Sequence, residues 1–157
     1  MTEGVHPGLV PGKPRELPLF PLQGVVLFPR VKLPFYVFEP RYRAMLARAL
    51  DGDGLIGMAE PVEPEKRGGP PPALHPTFGV GRVVDYETHE DGTSHVELLG
   101  VGRVRLLEEI PSSPFRTARV EPLADIEPSV ADARSLKADL KAGLARLEPL
   151  GMAPDAK

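Results

Sequence analysis

Phe78-Gly79-Val80-Gly81-Arg82-Val83-Val84-Asp85-Tyr86 and Val96-Glu97-Leu98-Leu99-Gly100-Val101-Gly102-Arg103-Val104 stand on either side of Glu90-Asp91-Gly92. Both runs are rich in β-branched and apolar residues, and an Asp-Gly pair accepts the positive φ angles of a tight turn, so the stretch reads as a β-hairpin. Further on, Val104 and Leu106 alternate with Arg103 and Arg105, and Ala118 and Val120 alternate with Thr117, Arg119 and Glu121. That period of two belongs to half-buried antiparallel strands. Gly79-Val80-Gly81-Arg82-Val83 recurs as Gly100-Val101-Gly102-Arg103-Val104. Two copies do not make a solenoid. They mark two strand entries where glycine permits a bulge or a close backbone crossing, as in a strongly curved sheet or small barrel.

Upstream, Leu17-Pro18-Leu19-Phe20-Pro21-Leu22, Val25-Val26-Leu27-Phe28 and Leu33-Pro34-Phe35-Tyr36-Val37-Phe38 read as short strands, limited by proline, which cannot donate to a ladder. Pro40 then suits the first turn of a helix, with Glu39 at its positive end. Tyr42, Met45, Leu46, Ala49 and Leu50 keep helical spacing and are expected to face the core, with Gly52 as a left-handed C-terminal cap. Leu55-Ile56-Gly57-Met58-Ala59 reads as a buried strand. Pro61 to Pro76, with six prolines, reads as a long exposed loop. Ser129 is a helix N-cap with Asp132 in the first turn, and Val130, Ala133, Leu136, Leu140, Leu144 and Leu147 form an apolar stripe. These readings divide the chain into a disordered tail over 1–15, a β domain over 16–125, a C-terminal helix over 126–150 and a tail over 151–157.

The 157 residues suit one domain with a helical appendage. A net charge of −3 with mixed signs gives no footprint for nucleic acid. The chain has no cysteine, which excludes disulfides, thiolate metal sites and thiol nucleophiles and fits a reducing cytosol. The first residues lack the basic and apolar regions of a signal peptide, and no apolar run approaches the ~20 residues that span a bilayer. The reading is a cytoplasmic protein without a membrane partner.

Catalytic patterns are missing. There is no phosphate loop, and the two Gly-x-Gly pairs carry Val84 and Arg105 where a dinucleotide fingerprint needs its third glycine. His89, Asp91 and His95 lie in a hairpin at spacings unlike a helical zinc motif and read as solvated turn residues. No serine sits in a nucleophile elbow. The expectation is no enzyme, no cofactor and no metal.

Leu17-Pro18-Leu19-Phe20-Pro21-Leu22, Gly24, Val26-Leu27-Phe28-Pro29, Leu33-Pro34, Phe38-Glu39-Pro40-Arg41-Tyr42, the Gly79 strand, the Gly100-Val101-Gly102-Arg103 strand and Pro114-Phe115 together resemble the N-terminal substrate-binding domain of Lon-type ATP-dependent proteases. The resemblance covers Glu16 to Pro122 and points to a stand-alone bacterial member. It implies a mainly β (α+β) fold, a PUA-like pseudo-barrel of mostly antiparallel strands with one short helix, followed here by a C-terminal helix.

The same resemblance implies a non-catalytic module that recognises unfolded or tagged client proteins, an adaptor in proteolysis with a separate protease or ATPase as partner. Candidate contacts beside the first helix are Phe35, Tyr36, Glu39, Arg41 and Tyr42. The competing reading of these residues is structural, with Phe38 and Tyr42 in the core and Glu39 and Arg41 serving the helix start. Two alternative functions stand beside it. One is an RNA-binding PUA-like module using Arg82, Arg103, Arg105, Arg116 and Arg119. The other is a scaffold or assembly domain using the C-terminal helix. The sequence leaves the oligomeric state open.

Overall fold

A computed structural model describes residues 6–126 and 128–147. Six strands and two helices follow one another as β1 (Arg15–Pro18), β2 (Lys32–Val37), α1 (Pro40–Leu50), β3 (Leu55–Met58), β4 (Thr77–Thr88), β5 (Ser94–Ile110), β6 (Thr117–Leu123) and α2 (Val130–Leu147). The strands form one sheet in the order β1-β6-β5-β4-β3, with β2 also on β5, and every pairing between them is antiparallel. Of the described residues, 6–124 form one compact unit, and α2 belongs to a second.

The 17-residue β5 organises the sheet. Its first part, Ser94 to Leu99, lies between β2 and β4; from Arg103 to Ile110 it pairs with β6, and β4 stays on its other edge only as far as Arg105. The partner changes at Gly100-Val101-Gly102. Here the repeated glycines have their physical reason. A Cβ on Gly100 would collide with the carbonyl oxygen of Phe28, and one on Gly79 with that of Leu27. Residues 25–31, whose first part Val25 to Phe28 was expected as a strand, instead cross the sheet as an irregular strap over these two glycines. The strap is fixed by Arg30 N–H to the Gly100 carbonyl and Gly100 N–H to the Val31 carbonyl, both at 2.8 Å. The ladder between β4 and β5 also shifts register at Val80/Gly81.

The chain after β1 leaves β6 and runs beside β3. Phe20 N–H donates to the Gly57 carbonyl at 2.8 Å and Leu22 N–H to that of Ala59 at 3.2 Å, so the strand expected over 17–22 is split between two neighbours. One parallel bridge, Leu19 to Gly57, brings the two ends of the sheet together without closing it. Period-two alternation then divides the core. Leu17, Leu19, Leu55, Val80, Val104 and Val120 pack in one cluster; Phe20, Ile56, Met58, Val96 and Leu98 pack in a second with Tyr42, Met45, Leu46 and Ala49 of α1. β3, buried at all four positions, serves both.

Three local expectations are corrected. Residues 6–15 are not a free tail. Leu9 is 2% exposed and packs in the first cluster, Gly12 N–H donates to the Pro122 carbonyl, and Arg15 Nη1 bonds both the Gly8 carbonyl and Asp53. The expected tails over 1–5 and 151–157 lie outside the described residues. The left-handed glycine after α1 is Gly54 (φ 74°), not Gly52, because Asp51 continues the helical conformation as cap. Phe38 is not a core residue but is 58% exposed. In α2 the Ser129 hydroxyl accepts from Asp132 N–H at 3.1 Å, as the capping pattern requires. Val130, Leu136 and Leu140 of the stripe are exposed.

Candidate functional site

The five candidate residues separate into three environments. Phe35 and Tyr42 belong to the second core cluster. The Phe20 ring lies 5.7 Å from Phe35 and 4.7 Å from Tyr42, and the Tyr42 hydroxyl reaches the Pro21 carbonyl at 3.4 Å. Burial raises the Tyr42 hydroxyl above its ordinary pKa, with Arg41 opposing.

Glu39 and Arg41 form a latch. Arg41 donates through Nε to Glu39 at 2.9 Å and through both terminal nitrogens to Glu65 at 2.9 and 2.8 Å, while its guanidinium lies 4.6 Å from the Tyr42 ring centre. The fork of N–H donors holds the Glu65 carboxyl below its usual range. Glu65 stands in the proline-rich 61–76 segment, whose stem is a short antiparallel pairing: Val62 N–H to the Ala73 carbonyl and His75 N–H to that of Glu60. Arg116 fastens the other side, donating to the Pro72 carbonyl at 2.9 Å and, through two nitrogens, to Glu109. Between loop and helix start remains a cleft of about 280 Å³.

Tyr36 alone of the five presents its ring to solvent. It lies on β2, which among the described residues pairs only with β5, so its other edge is open. Tyr36 is 48% exposed and stacks on Phe38 at 5.9 Å, with ring planes 28° apart. Its hydroxyl meets Thr93 Oγ1 at 3.0 Å, and Thr93 in turn donates to Asp91, so the hairpin turn holds the ring. The His95 ring packs against Tyr36 at 4.8 Å, and His95 Nδ1 and His89 Nε2 share a hydrogen bond of 2.7 Å. Beside this ridge lies a concavity of about 390 Å³ that Tyr36, Tyr86 and His95 line together with Asp85, Glu87 and Glu97. Sequence reasoning missed Phe38 and Tyr86. The available cue for Phe38 was its spacing of two from Tyr36, which puts both on one face of an extended chain.

The arginines of the RNA reading are largely neutralised by acids. Arg105 pairs with Glu121, Arg119 with Glu108 and Arg116 with Glu109. Among the described residues no three His, Cys, Asp or Glu side chains assemble into a metal-ligating set. No helix among them is long and apolar enough to cross a membrane.

Residues 16–153 match the family model of the ATP-dependent protease La (LON) substrate-binding domain. The chain belongs to that family. It is 32% identical over 142 residues to the Lon protease of Paraburkholderia phytofirmans, a match covering 88% of this chain and 17% of that protein. It is 29% identical over 121 residues to the Lon protease of Cytophaga hutchinsonii, covering 75% of this chain and 14% of that one. The chain thus spans about a sixth of the length of these curated relatives.

Two solved structures share the Lon N-terminal fold. The N-terminal domain of Mycobacterium avium complex Lon protease superposes with a TM-score of 0.66 at 14% identity, covering 87% of this chain and 70% of that one. The Lon N-terminal domain protein from Xanthomonas campestris gives 0.60 at 24% identity, covering 87% and 75%. The expected mainly β fold of mostly antiparallel strands with one short helix and a C-terminal helix is the fold observed, with a sheet that does not close into the expected pseudo-barrel. As a Lon substrate-binding domain, the chain is a substrate-recognition module.

Proposed function

We propose that this chain is a non-catalytic protein-recognition module, an adaptor that holds extended segments of unfolded or tagged clients against β2. The observation that carries the reading is the exposed Tyr36–Phe38 stack on a strand whose outer edge is open. An open edge offers main-chain hydrogen bonds to any extended segment, and flanking aromatics supply apolar contact with little entropy loss. Lys32 and Pro34 on the same strand limit indiscriminate edge pairing. Family membership supports a protein substrate; the adaptor role and a separate protease or ATPase as recipient follow from the same reading.

The test is capture of one permanently unfolded model protein and its native form by the immobilised 157-residue chain. Capture of the unfolded form alone, reduced about 10-fold by Tyr36→Ser with Phe38→Ser, is the expected result; an effect of that size is typical of losing two interface aromatics. Equal capture by the double variant removes β2 as the contact. Failure to capture either form removes the recognition role.

A further inference from the structure

The concavity beside the aromatic ridge has a chemical signature of its own. In the ladder, Tyr36 stands opposite His95 and His95 opposite Glu87; in the next row of the same face, Pro34 stands opposite Glu97 and Glu97 opposite Asp85. Side chains two apart on a strand share a face, so three carboxylates and two aromatic rings converge there. Glu97 is partly neutralised by Lys32 at 2.8 Å. Among the described residues, neither the Asp85 nor the Glu87 carboxylate carries an ion pair, and no lysine or arginine lines the concavity.

We infer that this concavity takes an arginine side chain of the client segment seated on β2, an inference that rests on the recognition reading above. Unpaired carboxylates beside exposed aromatic faces complement a cation that is planar and weakly hydrated. A guanidinium stacks on a ring while its N–H fork meets a carboxylate, which the strongly hydrated point charge of lysine does less well. The chain makes the same combination internally, where Arg41 lies over Tyr42 and forks Glu65. The local excess of negative charge also disfavours acidic segments, which gives the ridge a selectivity that aromatics alone lack.

The probes are three labelled peptides of one extended apolar sequence carrying arginine, citrulline or glutamate at the same positions. They are titrated against the wild-type chain and against Asp85→Asn with Glu87→Gln. The two substitutions are isosteric and on exposed positions, so folding is retained. The arginine peptide is expected to bind about 10-fold tighter than the citrulline peptide, the scale of a desolvated cation–π contact with charge pairing. The double variant is expected to erase that gain and leave citrulline binding unchanged. Equal affinity for arginine and citrulline peptides, or an undiminished gain in the variant, overturns the arginine site while the recognition reading stands. Absence of binding by any of the three peptides overturns both.

Discussion

The carbonyl oxygen of Phe28 occupies the place where Gly100 would carry its Cβ. The strap of residues 25–31 reaches β5 only because position 100 has no side chain, and the two hydrogen bonds between Gly100 and the backbone of residues 30 and 31 depend on that approach. Gly100→Ala is expected to destabilise the chain by about 1–3 kcal/mol, the usual cost of forcing an extra carbon into a packed site. Gly102→Ala, whose added carbon would meet only the end of the Leu9 side chain at 3.2 Å, is expected to cost less. Urea unfolding of the two variants orders them; equal midpoints contradict the crossing as the reason for this glycine.

The Arg41–Glu65 fork concerns the 61–76 loop and not the global fold. Both partners are partly exposed, so Glu65→Gln is expected to change overall stability by no more than about 1 kcal/mol. Its local effect is larger. Lys66 and Arg67 next to the latch are exposed and offer trypsin two cleavage positions. Cleavage there is expected to accelerate several-fold in Glu65→Gln, because limited proteolysis follows local opening. An unchanged cleavage rate means that the loop is held by its stem and by Arg116 alone.

The N-terminal segment is expected to loosen on mild acidification. His6 Nδ1 accepts the Gly8 N–H at 3.0 Å, which requires a ring nitrogen without a proton. Burial, then Arg82 and Arg15, hold the imidazole below its ordinary value of 6.5, with Asp53 opposing. A depressed histidine binds its proton more readily in the unfolded chain, so its stabilising effect is full above 6.5 and declines as pH falls below it. Asp53 follows at lower pH. Burial works against its charge, but the Arg15 ion pair and the Leu55 N–H outweigh burial and keep it below 3.8, so its contribution persists above 3.8 and is lost as pH falls through the folded value.

Amide exchange over residues 6–12, corrected for intrinsic rates, is expected to speed up between about pH 7.5 and pH 5 in the wild type but not in His6→Asn, which keeps an acceptor without titrating. Equal slopes in the two proteins contradict the role of His6.

What could be read from sequence was what short-range chemistry dictates. The Asp91-Gly92 turn needs only its own φ preference, and Gly92 does adopt φ 80°. The buried face of α1 needs only helical spacing, and Tyr42, Met45, Leu46 and Ala49 occupy it. The strap over Gly79 and Gly100 was hidden because its partners lie far along the chain, although the paired glycines announced that something must pass close by. Leu9 was hidden by its company: prolines and glycines around a single leucine give the composition of a tail, and only tertiary contact decides otherwise. At the site, Tyr36 was legible as an aromatic on a short strand, while the open edge of that strand follows only from the sheet order. Arg41 was not legible as a latch, because Glu65 sits across a loop with no fixed spacing. Phe38 looked like core since aromatics at strand ends usually are, and its side of the chain is set by Tyr36 and by the absence of a neighbouring strand.

The central claim is that clients meet the β2 ridge and the concavity beside it. The direct measurement is a backbone amide NMR titration of the isotope-labelled chain with a permanently unfolded protein. Shifts concentrated on residues 33–38, 85–87 and 95–97 are the predicted result. Shifts confined to α2, or to the cleft between Arg41 and the 61–76 loop, would contradict it.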